Sequence, residues 1–266
     1  MNAGRIRALV VKDWAELVQE RTLIATSVGV PFLLVAIYLM FALYAPEMND
    51  LDLPSIDRPA IGPLDRTEDA LLTGDRVQVL VLRQMLLLLL VIPEMATMAI
   101  ATYSVIGEKR ARSLEPLLAT PITTTELLTA KSLVAGIPGI AISWSVFGVA
   151  AAVLAATLPP AVLNTVFDAG TLLLIFVIAP LVALLGLSLG VIASARTSDA
   201  RTAQQIGVVV ILPLIALLVL QLEGLLLLTP ALILAGAAIL LLVDLLVLAL
   251  GVRVFRRETI LTRWKS

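Results

Sequence analysis

Six stretches of this sequence stay apolar for 17 to 24 residues, and that recurrence limits the possible folds more than any other feature. A helix needs about 20 residues to cross a bilayer. With 60% apolar and 15% charged residues, the chain lies well above the roughly 45–50% apolar share of a soluble domain. The expectation is an all-α, polytopic membrane protein forming one membrane domain, 1–266, with spans at 23–45, 84–106, 134–157, 170–193, 206–222 and 231–252. The chain has neither cysteine nor histidine. That excludes disulfides, thiolate chemistry, zinc sites of the usual ligand types and imidazole acid–base catalysis.

The polar segments differ in kind. Residues 1–22 carry an interfacial amphipathic helix, in which Ile6, Leu9, Val10, Trp14, Leu17 and Val18 recur at helical spacing. Arg5, Arg7, Lys12, Glu16 and Glu20 take its other side, and Trp14 suits the headgroup level. Such a helix lies on the membrane face, touches a partner subunit, or does both. The first span is too long for a cleaved signal peptide and lacks a small-residue exit. Residues 46–76 hold four prolines and eight acidic residues and read as a solvated loop outside the bilayer. Glu223-Gly224 and Thr229-Pro230 bracket a short apolar piece that is either re-entrant or a tight connection.

Basic residues set the orientation. Segments 1–22, 107–133, 194–205 and 253–266 hold 15 of the 19 Lys and Arg residues, which places them and both termini in the cytoplasm. The tail Arg253, Arg256, Arg257, Arg263 and Lys265, with Trp264, suits anionic headgroups.

Two carboxylates, Glu94 and Asp244, fall at membrane depth. A mid-span acid costs about 2.5–3.5 kcal/mol to insert. In span 6 the thirteen Leu, Ile and Val residues between Ala231 and Leu250 offset that with about 4–8 kcal/mol together. Insertion therefore does not explain Asp244. Each acid either lines a pathway or subunit contact, or is protonated or hydrogen-bonded in packing. Pro93 beside Glu94 predicts a kink and a freed carbonyl. Small residues in span 3 (Gly136, Gly139, Ser143, Ser145, Gly148) and span 4 (Gly186, Ser188, Gly190, Ser194) predict close helix contacts.

The longest polar interruption of the second half is 107–133. Its sequence predicts a short helix over Leu114–Ala119 with Ser113 as N-cap and Pro116 in its first turn. Thr120-Pro121 ends it, and Thr123 with Glu126 predicts a capping box at the next helix start. Gly107-Glu108-Lys109, Leu114-Glu115, Leu117-Leu118, Thr120-Pro121, Leu127-Leu128 and Lys131 occur here in the order of a signature found in type-2 ATP-binding cassette (ABC) exporter permeases. The chain resembles that family over about 25 residues, departing at Arg112 and Ala130, where the family favours glycine.

The resemblance implies a half-transporter, a dimer of permeases, identical or homologous, over two nucleotide-binding ATPase subunits. It also implies a multi-pass protein of a prokaryotic inner (plasma) membrane. Its coupling segment, 107–121, would seat Ser113, Leu114, Leu117 and Leu118 in a groove of the ATPase, with Glu108 and Glu115 offering charge-assisted bonds. Independently of the resemblance, Glu94, Asp244 and Pro93 are the pathway or helix-interface candidates. The sequence itself holds no phosphate-cradling loop, so ATP and Mg belong to the partner and this chain is not an enzyme. It would bind lipid and a partner permease, not nucleic acid. Two other classes remain at this point: a secondary transporter using Glu94 and Asp244, and a membrane enzyme acting on lipid-linked substrates.

Overall fold

Inside a bilayer the backbone has no water to bond, so its amides must satisfy each other within helices. The computed structural model describes residues 3–44, 73–110, 123–197, 199–222 and 229–254, and among these residues there is no strand. Among the described residues six helical stretches are long and apolar enough to cross a membrane: Arg21–Tyr44, Val81–Lys109, Thr129–Thr157, Ala169–Ser194, Ala200–Gln221 and Pro230–Gly251, here spans 1 to 6. The all-helical, six-span fold is as expected. An additional helix, Ala3–Gln19, precedes span 1.

Span 2 is the centre of the bundle, 72% buried against 17% for span 6. It packs most extensively on span 4 and then on span 3, while span 6 rests mainly on span 4. Glycines and one threonine permit the approach. A Cβ on Gly186 would meet the Glu94 carbonyl oxygen at 2.8 Å, and one on Gly190 would meet the Met98 carbonyl at 3.1 Å. Gly139 of span 3 faces Thr97 with no room for a side chain. The Thr97 hydroxyl lies 2.7 Å from Pro93 O and 2.8 Å from Ala183 O, tying span 2 to span 4. Gly148, by contrast, has nothing within 4 Å, and Ser145 turns its hydroxyl back to Ala141 O at 2.7 Å. Only part of the small-residue pattern marks contacts.

Prolines account for the irregular turns. A proline cannot donate to the carbonyl four residues earlier, and its ring crowds that carbonyl. Pro31 and Pro180 each follow a widened π-helical turn, Ala25–Gly29 and Leu174–Ile178. The Ile175 carbonyl in the second of these accepts the Trp144 indole N–H at 3.2 Å. Pro93 follows the interruption at Leu90, between helices Thr73–Leu89 and Val91–Arg110. The expected break in span 2 therefore lies one turn ahead of the proline.

The helix leading into span 2 starts at Thr73, inside the stretch read as loop. Its polar residues find partners there: Gln78 donates to Ala42 O at 2.9 Å, at the end of span 1. Arg83 donates to Thr165 O at 2.8 Å and pairs with Asp168 at 3.1 Å. Asp168 in turn caps the start of span 4 by accepting from Thr171 N at 2.8 Å. Span 5 also starts earlier than its apolar run, because Asp199 accepts from Thr202 N at 2.9 Å and caps a helix Ala200–Gln205. The rest of the 46–76 loop, the piece 223–228 and the tail from 255 onward lie outside the described residues.

Candidate functional site: an ion cluster and a cavity

The N-terminal helix does not bury its apolar stripe as one face. Ile6, Leu9 and Val10 pack on Leu127 and Ala130 of the helix that becomes span 3, and Leu17 packs against spans 2 to 4. Trp14 and Val18 face outward. The inward line Leu9–Asp13–Leu17 has a carboxylate at its middle, and Asp13 is only 5% exposed.

Asp13 is tolerable there because the adjoining helices bring cations to it. Lys131, 1% exposed, reaches from span 3 to Glu108 Oε2 at 2.9 Å, Ser104 Oγ at 2.9 Å and Asp13 Oδ2 at 3.4 Å. Lys12 reaches Glu108 Oε1 at 3.1 Å, Glu16 at 3.3 Å and Asp13 Oδ1 at 3.4 Å. Glu108, 3% exposed, thus lies between two lysines from different helices. Burial alone would lower the Lys12 ammonium, but Glu108 beside it, helped by Asp13 and Glu16, outweighs burial and holds it above the ordinary lysine value. At the rim, Arg5 lies 4.0 Å from Glu126.

The next residue points elsewhere. Lys109 donates to the Ser194 carbonyl and to Thr197 O at 3.2 Å, covering carbonyls at the end of span 4. The expected capping box closes the other root of the polar segment: Glu126 N donates to Thr123 Oγ1 at 3.2 Å, and Thr123 N to Glu126 Oε2 at 3.0 Å. Ser113, Leu114, Glu115, Leu117 and Leu118 lie outside the described residues. What the structure defines is their two roots, joined through Glu108 and Lys131.

Glu94 and Asp244 fall in different surroundings. Glu94, 2% exposed, borders a cavity of about 260 Å³ between spans 1, 2 and 5. Asp244 does not line that cavity. It is fully buried, one helical turn from Leu240 and near Val247, which pack on Val182, Leu185 and Val210 of spans 4 and 5. Among the described residues neither of its carboxylate oxygens has a hydrogen-bond partner. Pro93 lies at the tight crossing of spans 2 and 4, its carbonyl within reach of the Thr97 hydroxyl.

The role of Asp13 is not apparent from the sequence. Asp13 carried a signal, a carboxylate four residues from apolar neighbours on either side along one helix face. Its partners are 91 and 118 residues away, and no local spacing announces them.

The ion cluster joins helices at one end of the bundle, and the cavity carboxylate stands among mostly apolar walls. The sequence model of the ABC-2 type transporter family matches residues 4–218, from the N-terminal helix through most of span 5. Comparison with curated proteins gives no match. The chain belongs to the ABC-2 type transporter family and is a multi-pass membrane permease of an ABC transporter.

Proposed function

We propose that this permease works as a dimer in an ATP-driven exporter and takes its force from separate ATPase subunits docked on residues 107–121. The observation that carries the reading is the cluster of buried Glu108, Lys131 and Asp13 with part-exposed Lys12 at the roots of that segment. A push on a loop does work on distant helices only if its ends are rigidly held. Here one root is locked to the N-terminal helix and span 3, and its neighbour Lys109 to span 4. Leu114, Leu117 and Leu118 would supply the apolar grip on the ATPase, with Ser113 capping the short helix and Glu115 meeting basic partner residues. Glu108, already engaged inside the chain, would serve by holding the segment in place.

In this reading both termini and the 107–133 segment face the cytoplasm of a prokaryotic cell, as the basic residues favour. The outward apolar faces of spans 1, 5 and 6 meet lipid and the second permease. ATP and Mg bind the partner subunit, and this chain contributes no catalytic group. Co-purification with the nucleotide-binding subunit tests the docking. Leu117→Asp and Glu115→Lys should each abolish it while the permease itself still reaches the membrane. Unchanged co-purification of both variants would refute the docking surface.

A further inference from the structure

Spans 1, 2 and 5 part around the cavity of about 260 Å³, whose lining is apolar except for Glu94, Thr26, Ser27 and Gln204. We propose that this cavity binds the ammonium end of an organic monocation, so that amphiphilic amines are a cargo class of the transporter. The inference rests on the permease reading and adds to it the kind of molecule carried.

Among the described residues no lysine or arginine lines the cavity, so the described wall holds one carboxylate and no cation to match it. A cation brought against a carboxylate in such surroundings is attracted strongly, because they are too apolar to screen the pair. Ser27 gives an independent sign. It is 6% exposed, lines the cavity, and its hydroxyl has no hydrogen-bond partner among the described residues. The widened turn Ala25–Gly29 presents it there beside Thr26. The Thr26 hydroxyl donates within its own helix, to Thr22 O or Leu23 O, which leaves its oxygen able to accept.

Gly207 completes the wall. A Cβ at that position would meet the Glu94 carboxylate and the Met98 sulfur, the movable ends of two side chains, so a methyl there would shift the carboxylate from its place rather than strain the backbone. Size and wall chemistry favour an organic ion over a metal ion. One water occupies about 30 Å³ of liquid, a small fraction of this space. Calcium takes about six to eight oxygen ligands and magnesium demands six. Four side chains carry oxygen here, and valine, methionine and alanine make up much of the rest.

The test uses the detergent-purified full chain and radiolabelled benzyltrimethylammonium, with neopentylbenzene as the uncharged molecule of the same shape. Saturable binding is expected, with neopentylbenzene competing at least about tenfold more weakly, or about 1.4 kcal/mol. Glu94→Gln should weaken binding by at least about tenfold, and Gly207→Ala should also weaken it. Absence of saturable binding, or equal competition by the uncharged molecule, would overturn the proposal without any variant. Displacement by sodium but not potassium chloride would assign a metal site instead and also overturn it. None of these measurements needs an ATPase, so failure here leaves the docking result standing, and the converse holds.

Discussion

Lys131 keeps a charged ammonium away from water only because Glu108 and Asp13 stand beside it. Removing one member of a buried ion pair strands the other, at a cost of about 3–5 kcal/mol. Lys131→Met is therefore expected to lower stability by that amount in thermal unfolding of the purified permease. Combined with Glu108→Gln, the loss should fall short of the sum of the two by at least about 1 kcal/mol, since groups in contact are not additive. Lys12 sets the pH behaviour of the outer half of the cluster. Its folded-state pKa is raised, so its contribution is fully present below the unfolded value of about 10.4 and is lost as pH climbs through the folded value. Unfolding temperatures should consequently show no Lys12-dependent change between about pH 7 and 9, which a comparison with Lys12→Met would check. Glu108 and Lys131 were both legible as members of a motif. That they touch was not, because the contact depends on how the helices before and after the polar segment come back together.

Helix by helix, the small residues divide into those that hold the bundle and those that do not. Gly186→Ala would force a methyl against the Glu94 backbone, and should cost about 1–3 kcal/mol, as overpacking does. Gly148→Ala meets nothing within 4 Å and should be neutral or stabilise by up to about 1 kcal/mol, since it removes a glycine from a helix interior. Thermal unfolding of the two variants side by side measures the contrast. The sequence showed both glycines equally. It could not rank them, because the widened turns before Pro31 and Pro180 and the break before Pro93 reset which face each helix presents. The prolines themselves were readable, and the irregular turns sit where their chemistry demands.

Taken whole, the number of spans followed from hydropathy alone, since each run is long enough to cross and is set off by polar segments. The packing order did not. Span 2 ties with span 3 as the least apolar of the six, yet it occupies the middle, where Glu94, Thr97 and the glycines facing it meet. The orientation is open to direct measurement because the chain contains no cysteine. Arg7→Cys should react with an impermeant maleimide only after the cells are opened, and Thr229→Cys should react in intact cells. Both positions are exposed. The reverse pattern would place the ion cluster on the outer side and end the case for an internal ATPase.

Glu108 and Lys109 are neighbours in the chain but hold different helices, span 3 with the N-terminal helix on one side and span 4 on the other. The tip of the central helix is thereby keyed in two directions, so a turn about its own axis would break one of these sets of contacts. Any torque delivered there is shared out at once to both flanks of the bundle, which leaves tilting of the whole body as the easier response.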